Sequence, residues 1–209
     1  MNWKKLLNFE AKIIRMLAMS KNLYIISGCN GAGKTTASYT VLPDVLNCKE
    51  FVNADEIARG LSPFNPDGMA IEAGRLMLQR IEELLANEET FAIETTLATK
   101  SHVNLVRRAK AKGYTVRLIF FWLSSMELAV QRVAERVAKG GHNIPEPIIR
   151  RRYVAGINNL FHLYANEVDY WEIWDNTNNP RKQVAHKDDE GATIIIEELL
   201  FNNIQSYVK

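Results

Sequence analysis

Two cysteines in 209 residues, Cys29 and Cys48, are too few for a disulfide framework and have no metal-ligand spacing. A chain without disulfides suits a reducing compartment, so a cytoplasmic location is expected. Charge of one sign is also scarce. The formal net charge is +2, too small an imbalance to argue for nucleic acid or a membrane surface as a partner. There is no long apolar run at the start of the chain. Between Trp3 and Met19, the apolar positions Leu6, Leu7, Ile13, Ile14 and Leu17 are interrupted by Glu10, Lys12 and Arg15. Neither a signal peptide nor a membrane span is therefore expected, and residues 1–20 read as an amphipathic helix packed on the domain. No internal repeat or low-complexity segment occurs. Apolar residues make up 47% and charged residues 24%, the balance of a chain with a substantial core, at a length that suits one compact domain with a small lid.

Against this plain background one stretch stands out. Tyr24-Ile25-Ile26-Ser27 is strand-like, and Gly28-Cys29-Asn30-Gly31-Ala32-Gly33-Lys34-Thr35 follows it as Gly-x-x-x-x-Gly-Lys-Thr, running into Thr36 and a helix. Strand, glycine-rich loop and helix in that order are the context of a phosphate-binding P-loop. The glycines permit backbone conformations in which successive N–H groups point at phosphate oxygens, and the helix start favours an anion. Lys34 is expected to reach the β- and γ-phosphates and is counted among the catalytic residues; Thr35 is expected to offer its hydroxyl to Mg²⁺. Gly28, Asn30, Gly31, Ala32, Gly33, Lys34, Thr35 and Thr36 are assigned to the nucleotide. ATP and Mg²⁺ are the expected cofactors.

Further along, Lys49 to Asp55, Thr90 to Thr96, Tyr114 to Leu123 and Asp169 to Trp174 read as strands. Met69–Ala86, Ser101–Lys112, Ser125–Lys139 and Pro145–Ala165 read as helices, the third opened by a capping-box pattern of Ser124 with Glu127. The segment from Lys187 to Gly191 reads as a polar loop and Ala192 to Tyr207 as a closing helix. Alternation of this kind implies an α/β P-loop NTPase sandwich of three layers, with a mainly parallel five-stranded sheet. Residues 21–209 form the expected kinase domain, with a small arginine-bearing lid over about 132–152. Ligands of such sheets sit beyond the carboxyl ends of the strands, and Asp55, Glu94 and Asp175 all fall at strand ends.

Within the P-loop class, other branches lack their marks here. There is no Asn-Lys-x-Asp motif to read a guanine base, no Leu-Ser-Gly-Gly-Gln signature, and no strand ending in Asp-Glu. Separate acidic strand ends and an arginine-rich segment behind the Gly140-Gly141-His142-Asn143 joint suit a small-molecule kinase. Asp55 is the candidate to accept the proton of an acceptor hydroxyl; the alternative is that it only caps a helix starting at Glu56. Glu94 either orders water around the metal or binds the acceptor, with Thr95 beside it; the alternatives are a buried structural ion pair and ordinary strand-end hydrogen bonding. Arg132, Arg136, Arg150, Arg151 and Arg152 flank the joint, where guanidinium groups could stabilise charge on a transferring phosphoryl group or form a solvated basic face. His142 reads as a surface residue. Asp175-Asn176 could meet the adenine base or form a plain Asx turn.

These residues resemble the zeta-toxin kinases, which phosphorylate UDP-N-acetylglucosamine. The resemblance runs from Leu23 to about Asn176. It rests on the P-loop, Asn53-Ala54-Asp55-Glu56-Ile57, Phe91 to Leu97, and Arg132 to Tyr153. It implies a catalytic aspartate at Asp55, a substrate-contacting glutamate at Glu94, and two arginines around a mobile segment, assigned to Arg136 and Arg151. The loop holding Asn176 lies beside the P-loop in related kinases. The resemblance also implies a UDP-sugar acceptor and an antitoxin protein that blocks the nucleotide site. Two other readings compete: an ATP-hydrolysing regulatory switch, and a nucleic-acid-end kinase or repair ATPase, for which the near-neutral charge provides no basic groove.

Overall fold

The computed structural model describes residues 21–209; the amphipathic helix expected at residues 1–20 lies outside them. The apolar run before the phosphate loop becomes β1 (Asn22–Gly28), buried along nearly its whole length. β1 pairs in parallel with β3 (Phe91–Thr95) on one side and β4 (Thr115–Trp122) on the other. β2 (Glu50–Val52) joins β3, and β5 (Tyr170–Asp175) joins β4, both also in parallel. Strands covered on both faces need continuous rather than alternating apolar sequence, which is what Leu23 to Ile26 and Phe91 to Ile93 supply. Leu23, Ile25, Phe91, Ile93, Leu118 and Phe120 form the centre of the core, each contributing roughly 1.5–3 kcal/mol by its burial.

The sheet is larger than expected. Among the described residues it has seven strands in the order β2-β3-β1-β4-β5-β6-β7, the last two, β6 (Lys182–Lys187) and β7 (Thr193–Ile195), running antiparallel. The expected closing helix over 192–207 is thus shortened to α7 (Glu198–Gln205). The β-branched run Thr193 to Ile196 prefers a pleated strand to a helix, and β6 offers it an edge.

The crossovers are α1 (Lys34–Thr40), α2 (Ala54–Leu61), α3 (Ala70–Ala86), α4 (His102–Ala111), α5 (Met126–Ala138) and α6 (Glu146–Asn159). Two local expectations are corrected. The cap of α5 is Ser125, whose extended backbone lets its Oγ accept from Leu128 N at 3.1 Å, while Ser124 N is engaged by Thr177 Oγ1. The helix expected to run unbroken over 145–165 instead passes from α6 into a π-helical turn, Leu160–Tyr164, and a last short turn, Ala165–Glu167. Among the described residues no helix is long and apolar enough to cross a membrane.

Candidate active site

The phosphate loop leaves β1 at the carboxyl edge of the sheet, between its two parallel neighbours. Gly28 sits at φ +136°, and a Cβ there would lie 2.1 Å from Phe121 O. Gly33, at φ +78°, is equally confined, with Asn176 Nδ2 2.7 Å from where its Cβ would be. That amide donates to Ala32 O at 2.8 Å. Arg132 in turn donates to Asn176 O at 2.9 Å and to Thr177 O at 2.7 Å. A strap from α5 through the loop after β5 therefore holds the phosphate loop in shape. Asp175 forms an Asx turn, accepting from Thr177 N and Oγ1, and only Asn176 of that pair touches the loop.

Lys34 is 7% exposed and donates from Nζ to Cys29 O at 3.0 Å, with Glu94 Oε1 at 3.7 Å. A buried ammonium with one carbonyl and one distant carboxylate suits phosphate oxygens as further partners. Glu94 gathers the neighbours. Its carboxylate accepts from Thr35 Oγ1 at 2.9 and 3.1 Å and from Asn53 Nδ2 at 2.9 Å. Mg²⁺ is usually held by one or two carboxylates plus substrate phosphates and water rather than by a protein cage. The Thr35 hydroxyl and Glu94 are the oxygen donors here that fit it. Thr95 instead accepts from Leu97 N at 3.1 Å, a strand-end bond of the ordinary kind.

Asn53 is the residue that sequence reasoning undervalued. Its Oδ1 accepts from Asp55 N and Glu56 N, at 2.8 and 3.4 Å, so Asn53 is the N-cap of α2. Asp55 lies one residue inside the helix, which corrects the idea that it caps a helix starting at Glu56. Its carboxylate is exposed, without a hydrogen-bond partner among the described residues, in the wall of a cleft of about 730 Å³ that also contains Lys34, Thr36, Glu94 and Arg136. A smaller pocket of about 190 Å³ adjoins it and shares Asp55, Arg59, Pro63 and Gly140.

Burial holds the Glu94 carboxyl above its ordinary range, opposed by the Lys34 charge and the Thr35 hydrogen bond, with Asp55 and Glu56 adding to the rise. For an acid whose folded value is raised, the folded chain retains its proton longer than the unfolded one. Stability should then fall as pH rises from the ordinary glutamate range through the folded value, and stay lowered above it. Glu94→Gln should flatten this part of the pH–stability curve and be no less stable than wild type at pH 7. Thermal melts of both proteins across pH 4–8 check it, and an unchanged slope would show that another group titrates there.

Of the arginines, Arg136 lines the cleft and donates from Nη2 to His142 O at 2.7 Å, while its Nε is buried with no partner among the described residues. From the triplet on α6, Arg152 points inward, half-buried, donating to Asn30 Oδ1 at 3.3 Å and lining the smaller pocket. Burial lowers its pKa, and the Asp55 charge opposes that. Arg151 is exposed, and Arg150 is tied to Glu127 and Glu146 on the surface. The structure therefore brings Arg152, not the expected Arg151, to the loop. His142 is also more engaged than expected, paired with Asp67 on the approach to α3.

The zeta toxin family model matches residues 11–190 of this chain. A protein of Haemophilus influenzae without a described activity is 29% identical over 139 residues, which cover 66% of this chain and 97% of that one. Among solved structures, the AvrRxo1-ORF1:AvrRxo1-ORF2 complex with sulphate ions superposes with a TM-score of 0.75 at 17% identity, over 90% of this chain and 64% of that one. The chain thus spans slightly less than two thirds of that protein's length. A further structure of that complex, with ATP, gives 0.72 at 16% identity. The PezAT toxin–antitoxin system of Streptococcus pneumoniae gives 0.63 at 16% identity, over 96% of this chain and 86% of that one. At such identities the structures speak for the fold, and the match over most of the chain speaks for descent: the chain belongs to the zeta toxin family of P-loop kinases.

Proposed function

We propose that this protein is an ATP- and Mg²⁺-dependent kinase that transfers the γ-phosphoryl group to a hydroxyl of a small-molecule acceptor. The observation that supports it best is the position of Asp55. Asn53 takes over the capping task, and the free carboxylate stands in the wall common to the phosphate-loop cleft and the smaller pocket. An acceptor in the smaller pocket would present its hydroxyl to Asp55 and its oxygen to the phosphorus. As that O–P bond forms, the hydroxyl proton passes to Asp55, the bond from the γ-phosphorus to the bridging oxygen breaks, and ADP leaves. Lys34 and the loop amides bind the phosphates. When bound, Mg²⁺ neutralises charge on the β- and γ-oxygens. Arg136 and Arg152 flank the path of the transferred group, and residues 132–152 serve as its lid, with Gly140 to Asn143 as the joint.

UDP-N-acetylglucosamine is the acceptor that family membership favours. A toxin role with a neutralising protein partner belongs to the same reading, which draws support from the toxin–antitoxin complex among the structural relatives. Transfer of labelled γ-phosphate from ATP onto a panel of UDP-sugars, nucleosides and simple polyols tests it. Wild type should label at least one acceptor, and Lys34→Ala should label none while keeping a wild-type circular dichroism spectrum. ATP turnover unaffected by every acceptor would leave a regulatory ATPase as the better account.

A further inference from the structure

Among the described residues the sheet ends on β7, and its end is unusual. Ile194, Ile195 and Ile196 are 41%, 45% and 50% exposed, and Leu199 just beyond is 85% exposed. β6 occupies one side of β7, with Ala185 opposite Ile195, His186 opposite Ile194 and Lys187 opposite Thr193. The other side is the rim of the sheet. An edge strand presents unpaired backbone N–H and C=O groups, and proteins usually blunt it with lysine, proline or a bulge. Thr193-Ile194-Ile195-Ile196 carries none of these. Alternation along the strand puts Ile194 on one face and Thr193 and Ile195 on the other, and Ile196 follows directly, its N donating to Val184 O at 2.9 Å. Ile195 lines a cavity of about 510 Å³ whose walls include Phe161, Trp171 and Phe201, and which shares no residue with the phosphate-loop cleft.

Charge decides what fits this edge. Asp188, Asp189 and Glu190 precede the isoleucines and Glu197 and Glu198 follow them; none of these carboxylates is ion-paired with a described residue. A second copy would bring the same acidic flanks, Asp188 to Glu190 and Glu197 with Glu198, to the edge that already carries them, and like charges brought together are destabilising. An apolar strand with basic ends meets both requirements at once. We propose that the outer edge of β7 is a docking site for an extended polypeptide segment with a β-branched core flanked by lysine or arginine. Main-chain pairing would add a strand to the sheet, and one apolar side chain of the segment would pack beside Ile195 at the aromatic-walled cavity. In such strand addition, backbone bonds supply affinity and side-chain pockets supply selectivity.

The test uses the full chain and two fluorescein-labelled peptides with the same Thr/Val/Ile core, one flanked by lysine pairs and one by glutamate pairs. Fluorescence anisotropy should show binding of the lysine-flanked peptide, weakening as salt is raised, and at least about tenfold weaker binding of the glutamate-flanked one. The double variant Ile194→Lys/Ile196→Lys should lose the lysine-flanked peptide. Glu197→Lys/Glu198→Lys should shift preference towards the glutamate-flanked one. All these positions lie outside the phosphate cleft, so kinase turnover should be unaffected in both variants. Failure of the lysine-flanked peptide to bind, or equal binding of both, overturns the proposal. Self-association seen by analytical ultracentrifugation and abolished by Ile194→Lys overturns it in favour of a second copy.

Discussion

Asp55→Asn is expected to lose about 10²–10⁴-fold in phosphoryl transfer, the usual contribution of a positioned general base. ATP affinity should stay within a factor of a few, because Lys34, Thr35 and the loop amides form the donor side and none of them contacts the Asp55 side chain. The substitution is a clean one for a structural reason. Asn53 carries the capping bonds of α2, so a change at Asp55 removes charge from the cleft without unmaking the helix start. Asparagine is close to aspartate in size but is neutral and cannot accept the proton. Acceptor phosphorylation and ATP binding, measured on one preparation, separate chemistry from binding. A variant that transfers at close to the wild-type rate would remove Asp55 from the role of base. Glu94 would then be the next candidate, although its oxygens already accept from Thr35 and Asn53.

Arg152→Met should lower kcat by at least about 10²-fold, the scale on which loss of one group aimed at developing charge is felt. Arg151→Met should remain within about twofold of wild type, as changes to exposed side chains away from a site usually do. The contrast rests on placement. Arg152 lies half-buried between Asn30 of the phosphate loop and the smaller pocket, while Arg151, next in the chain, is exposed. Arg152→Lys should rescue only in part, because a lysine supplies the charge without the planar fork of donors. Steady-state kinetics on the three variants give the result. If Arg151→Met were the damaged enzyme and Arg152→Met the healthy one, α6 would have to present a different face when nucleotide is bound. Hydrogen exchange over 132–152 with and without nucleotide would then show whether that segment moves.

Both expectations depend on features read at different depths. The P-loop was legible because its chemistry is local: the glycines, Lys34 and Thr35 act through the backbone of one short stretch, so their spacing alone specifies the geometry. Asp55 and Glu94 were legible one step further out, since parallel strands bring their carboxyl ends to one edge: Glu94 stands near the end of β3, and Asp55, expected at the end of β2, lies instead in the first turn of α2 just beyond it. The choice within Arg150-Arg151-Arg152 was not legible. Successive residues on a helix point about 100° apart, and only the packing of α6 on the sheet decides which of the three turns inward. Asn53 was legible in part: its two capping bonds are local, to N–H groups two and three residues on, and asparagine is a favoured cap, whereas its bond to Glu94 depends on β2 and β3 lying side by side. The last two strands were missed because β6 is a strand only through its pairing with β5, burying Val184 and Ala185. By itself, the sequence determined the phosphate loop, the five parallel strands of the sheet and the acids near its edge. Tertiary structure alone decided which arginine faces them, how Asn53 is tied to Glu94, and where the sheet ends, because each of those depends on contacts between segments far apart in the chain.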